Sequence, residues 1–101
     1  MYSTCLFLKD TQLKVLSGTP KVYKRTHETG MILTLEFCDN CGSPLFKRSD
    51  WEMFTGMVAV NVGTLDDVGL MDKLAPTKEH NSGKRTAWVN AFEGAVQMET
   101  Y

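Results

Sequence analysis

The sequence predicts a mostly β domain built from short antiparallel strands. Three observations carry that expectation. Runs rich in Val, Ile, Leu and Phe recur at short intervals, as strands do. Turn signals containing Gly or Pro separate them. No window shows the apolar period of a long amphipathic helix. With 101 residues the chain has room for one domain, taken as residues 1–101.

Taken in order, "TCLFL" (4–8) and "QLKVL" (12–16) are short, apolar-rich strand candidates. "SGTP" (17–20) breaks the run with Gly18 and Pro20. "KVYKR" (21–25) alternates as a half-exposed strand does, and "HETG" (27–30) reads as a turn. "MILTLEF" (31–37) leads straight into Cys38, and "PLFKR" (44–48) leaves that region as a further strand. "MVAVNVG" (57–63) carries Val58, Val60 and Val62 on one face. In "GTLDDVGLM" (63–71), Thr64 and Asp67 have the spacing of a capping box that starts one helical turn. "KRTAWVNAF" (84–92) reads as a final strand, with Ala87 and Val89 opposite Trp88.

Composition narrows the function classes. Net charge is −1, so no global field draws the chain to nucleic acid or to an anionic membrane. No apolar run reaches the roughly 18 residues of a membrane span. The start "MYSTCLFLKD" lacks the basic region of a signal peptide. Three cysteines, an odd number, argue against a disulfide framework. A reducing, cytoplasmic setting with thiols free to bind metal is the expectation.

The chemistry is concentrated in "FCDNCGSPLF" (37–46). Two residues between Cys38 and Cys41 let the backbone curl so that both sulfurs face one ion. Backbone N–H groups in the curl can hydrogen-bond the thiolates, Gly42 can adopt positive φ, and Pro44 holds the exit extended. A zinc knuckle is the favoured reading. A redox pair is the rival, but such pairs sit at helix N-termini and this one precedes a strand. Free thiols without metal are the third possibility. A structural zinc takes four ligands, and these residues supply two.

Other chemistry-bearing residues have plainer readings. Cys5 is expected to be a small buried hydrophobe sharing a face with Phe7, with a ligand or thiol role as the alternative. His27 and His80 read as exposed loop histidines. Asp66 and Asp67 suit turn or capping duty. Trp51 and Trp88 are expected in an aromatic core, with a pocket wall as the alternative.

"EFCDNCGSPLF", then "VAVNVGTLDD", then Trp88 and "GAVQM", resembles the glutathione-dependent formaldehyde-activating enzyme and centromere protein V family. "LSGTPKVY" and "ETG" upstream fit the same pattern. The resemblance implies a β-tent, small antiparallel sheets gathered around a structural zinc held by two cysteine pairs. Cys38 and Cys41 correspond to the second pair. It also implies a second, catalytic zinc and carbon–sulfur lyase activity, joining formaldehyde to glutathione as S-hydroxymethylglutathione.

The sequence departs from the family pattern at its start. "YSTCLFL" corresponds to the strand after both N-terminal cysteine motifs, so Cys5 matches no motif ligand. The resemblance therefore predicts a β-tent shortened at its N-terminal end, with catalytic residues unassigned. Four-thiolate zinc binding supplies roughly 10–16 kcal/mol of apparent folding free energy. That equals the whole net stability of a typical domain. A homodimer sharing zinc through two copies of Cys38 and Cys41 is the expected remedy.

Three functions are consistent with these residues. The first is a shortened or repurposed domain without the catalytic zinc, binding a small molecule, a glutathione adduct or a protein partner. The second is an active lyase, with Cys5 as the available thiol. The third, a nucleic-acid module, is disfavoured by the charge balance.

Overall fold

The structure, a computed structural model, describes residues 3–101. It is mostly β and divides into two compact units, Met1–Val68 and Gly69–Tyr101. Tyr2 of the quoted "YSTCLFL" lies outside the described residues.

The first unit is a five-stranded sheet: β1 (Cys5–Lys9), β2 (Lys21–Thr26), β3 (Ile32–Phe37), β4 (Pro44–Ser49) and β5 (Met57–Asn61). Its spatial order is β1-β5-β4-β3-β2, with every pair antiparallel. Strands β2 to β5 form a meander of successive neighbours, and β1 closes the row beside β5. All five runs combine β-branched or large apolar residues with turn residues at both ends, which is why the pattern is legible.

The turns follow their chemistry. Between β2 and β3, His27 N–H donates to Met31 O at 2.7 Å and Gly30 N–H to His27 O at 2.9 Å. Gly30 takes φ 87°, open to glycine at little cost. Between β4 and β5, a 3₁₀ turn at Glu52–Phe54 carries the chain round. Asp50 ties this turn to β3, its Oδ1 accepting from Ile32 N–H at 2.7 Å.

The core lies on the middle of the sheet. Met31 and Val58 are fully buried, and Leu33, Ala59, Val60 and Val62 are nearly so. Val58, Val60 and Val62 are thus buried as the sequence predicts, but Ala59 on the opposite face is buried too. The strand itself ends at Asn61, and Val62 enters a 3₁₀ turn, Val62–Thr64. Outside the core, Arg48 bridges two acids: its Nη2 lies 3.1 Å from Asp10 Oδ1, and its Nη1 pairs with Glu36 Oε2.

The second unit has little regular structure. Strands β6 (Lys78–Glu79) and β7 (Val96–Gln97) pair in parallel, not antiparallel as predicted for the sheets. Side chains hold this pair together. Glu79 Oε2 accepts from Gln97 Nε2 at 2.6 Å, Arg85 Nη2 at 2.8 Å and Phe92 N–H at 3.1 Å. Arg85 also donates to Gln97 Oε1. The donors hold the Glu79 carboxyl below its ordinary pKa, Gln97 first, then Phe92 N–H, with Arg85 adding its charge.

Several expectations are corrected. "QLKVL" (12–16) is not a strand: Gln12 ends a 3₁₀ turn, the rest is irregular, and Leu16 is 85% exposed. Thr64 does not open a helical turn but closes one, its hydroxyl donating to Asn61 O at 2.7 Å. "KRTAWVNAF" (84–92) forms no strand, and Trp88 is 76% exposed, outside any core. Apolar letters in these stretches have no sheet partner to pack against.

Candidate metal centre

The cysteine turn is shaped by the end of β3. A bulge flanks it: Glu36 pairs with Phe46 but Phe37 pairs with Pro44, so Leu45 on β4 is the extra residue. Such a bulge bends the strand and re-aims the residues beyond it. The turn is closed by Cys38 N–H donating to Ser43 O, and by Gly42 N–H donating to Cys38 O, both at 2.9 Å. Gly42 sits at φ 76°, the left-handed backbone that the sequence assigns to it. Pro44 then starts β4, as predicted.

Donors converge on Cys41. Its Sγ lies 3.2 Å from Ser43 Oγ, and Ser43 N–H faces the same sulfur. The Cys41 thiol is thereby held below its ordinary pKa. The Ser43 hydroxyl is the main cause, followed by Ser43 N–H and the Cys38 thiol. Cys41 is exposed and Cys38 half-buried. The whole tip, residues 39–44, is exposed.

Cys5 is elsewhere on the same sheet. It pairs with Asn61 across β1 and β5, and its Sγ lies 3.5 Å from Asn61 Oδ1. The register Phe46↔Val60 sets Asn61 beside the β4 end of the cysteine turn. All three cysteines therefore occupy one end of the sheet. Two inter-strand spacings, roughly 10 Å, still separate β1 from β4. That is too far for Cys5 to share an ion with Cys38 and Cys41, since zinc–sulfur bonds are about 2.3 Å. Cys5 is half-buried, and its neighbour on that face, Phe7, stacks on Phe54 with centroids 6.0 Å apart.

The histidines do not join the thiols. His27 lies in the β2–β3 turn, its Nδ1 2.9 Å from Thr29 Oγ1. His80 stacks on Tyr101 at 5.8 Å in the second unit. Both are half-buried, where the sequence suggests exposure. Trp51 is half-buried beside Glu52 and Met53 on an open, shallow surface.

Among the described residues no three His, Cys, Asp or Glu side chains are placed to hold one metal ion. A closed zinc site needs four ligands, and the donor set here is two thiols. Among the described residues the donor set does not complete a zinc site: Cys38 and Cys41 bring two thiols and no third ligand stands with them.

Fold and turn together define a mostly β, thiol-bearing domain with a CxxC hairpin. The family model of the glutathione-dependent formaldehyde-activating enzyme matches residues 1–84, and the chain belongs to that family. A search of the curated proteins gives no match. A search of the solved structures gives none either. Among the described residues no helix is long and apolar enough to cross a membrane.

Proposed function

We propose that these 101 residues act as a repurposed domain of the family. Cys38 and Cys41 then serve architecture and assembly, and the chain does not itself accelerate the joining of formaldehyde to glutathione. One observation carries this reading: the thiols fall into a pair and a single, and no third ligand stands by either among the described residues. Addition to formaldehyde needs a thiolate held against a polarised carbonyl. An open metal position supplies that polarisation where three protein ligands hold the ion. Among the described residues neither the Cys38–Cys41 turn nor Cys5 has such a set.

The test mixes the purified chain with glutathione, formaldehyde and supplied zinc, and tracks S-hydroxymethylglutathione. A rate at the uncatalysed background supports the proposal. Saturable acceleration that scales with protein concentration overturns it and reinstates the lyase.

A further inference from the structure

We propose that strand β2 is a docking edge for an extended acidic segment of a partner protein, which joins the five-stranded sheet as a sixth strand. This goes beyond the proposed function and does not depend on it.

Strand β2 is one end of the sheet. Among the described residues Lys21–Thr26 pairs with β3 alone, and all six of its residues are exposed. In an antiparallel pair, alternate residues turn their N–H and C=O groups away from the neighbouring strand. The outer side of β2 therefore offers a row of donors and acceptors to a further chain, the arrangement used in strand addition. The other end of the sheet differs: three of the five residues of β1 are half-buried.

Charge selects the occupant. "KVYKRT" holds Lys21, Lys24 and Arg25 and no acid, in a chain whose net charge is −1. The register sets Phe37, Thr34 and Leu33 opposite these cations, so none of them has an acid directly across on β3. Glu36 lies diagonally from Lys24, opposite Val22, but it is taken by Arg48. Opposite charges across a ladder attract and like charges repel. A second copy of β2 would bring three more cations to these three. The charges that hold two copies apart thus admit an acidic strand.

The register also gives the order of the partner's residues. Val22 and Tyr23 lie between the cations, point to opposite faces of the sheet, and are 54% and 57% exposed. A strand antiparallel to β2 meets Arg25, Lys24, Tyr23, Val22 and Lys21 in that order. The sequence that fits is acid, acid, aromatic, branched, acid. Its acids pair with the cations, and its apolar residues cover Tyr23 and Val22.

The probe is the capped peptide Thr-Glu-Glu-Phe-Val-Glu-Thr, titrated into the unmodified full chain while backbone amide shifts and exchange are followed by NMR. Saturable binding with slowed exchange confined to Lys21–Thr26 is the expected result. It should weaken severalfold as salt rises from about 20 to about 300 mM. The same peptide with lysine in place of each glutamate should bind at least about tenfold more weakly. Lys21→Glu, Lys24→Glu and Arg25→Glu together should reverse the preference between the two peptides. Where that variant fails to fold, the peptide pair and the salt series on the unmodified chain decide. Equal binding of both peptides, binding indifferent to salt, or no binding at millimolar peptide overturns the proposal. So does protection centred on Cys5–Lys9 or on the second unit. Self-association of the unmodified chain with Lys21–Thr26 protected also overturns it, since the occupant would then be a second copy.

Discussion

Ser43 Oγ stands 3.2 Å from Cys41 Sγ, and the N–H of the same serine faces that sulfur as well. One residue thus supplies two of the donors that favour the thiolate. The sequence "CGS" encodes both: glycine turns the chain, and the next residue brings hydroxyl and amide round to the sulfur. Ser43→Ala removes the stronger donor. In the metal-free chain it should raise the Cys41 pKa toward the ordinary thiol value and slow alkylation near pH 7 severalfold. Iodoacetamide rates against pH test this; an unmoved profile would show that the hydroxyl does not act on Cys41.

Gly42 isolates the backbone contribution of the turn. An added Cβ would meet nothing within 4 Å, so the cost of Gly42→Ala comes from φ 76° alone. The expected loss is roughly 1–2 kcal/mol. Urea unfolding measures it, and an unchanged midpoint would mean that the turn has another conformation.

Met31 and Leu16 set the two ends of the packing scale. Met31 is fully buried and Leu16 is 85% exposed. Met31→Ala should cost roughly 2–5 kcal/mol through lost burial and a residual cavity. Leu16→Ala should change stability by less than about 0.5 kcal/mol. Equal effects in thermal melts would contradict the placement of the core.

Arg48 joins Asp10 and Glu36 through one guanidinium. The pair with Asp10 is half-exposed, so screening keeps its contribution small. Arg48→Met should cost about 1 kcal/mol at low salt, and less as salt rises. A cost independent of ionic strength would point to packing of the side-chain stem instead.

Glu79 predicts an acid sensitivity of the second unit. Its folded pKa is depressed by Gln97, Phe92 N–H and Arg85. The stabilisation is therefore complete above the ordinary carboxyl value of about 4.5 and fades as pH falls through the lower folded value. Amide exchange at Met98, whose N–H donates to Glu79 O, should speed up on acidification beyond the intrinsic pH effect. Glu79→Gln should remove that extra dependence, and a wild-type-like profile in the variant would count against this role.

All five strands of the sheet are legible in the sequence because each is a short run of large apolar or β-branched residues, and β2 to β5 also have a Gly or Pro close to one end. The cysteine turn is legible because CxxC-Gly constrains backbone and sulfur together. Legibility ends where apolar letters lack a partner. Val15, Leu16 and Trp88 look like core residues yet face solvent, since burial depends on what lies opposite and composition does not report that. The pair β6–β7 is illegible for another reason. Two residues per strand leave no alternation, and a glutamate, an arginine and a glutamine hold them. Nor does spacing say that Cys5 lies at the same sheet end as Cys38 and Cys41 but two strands away; register alone does.

The sheet order has a bearing on how the chain emerges from the ribosome. Strands β2 to β5 can zip up one hairpin at a time as they are made, each turn closing a short loop. Strand β1 has no partner until β5 has been synthesised, because among the described residues it pairs with β5 alone. Of the five strands, β1 is thus made first and is the last to find its place. Until Met57–Asn61 arrives, "CLFLK" is an unpaired, largely apolar ribbon with a thiol at one end, exposed to chaperones in that interval.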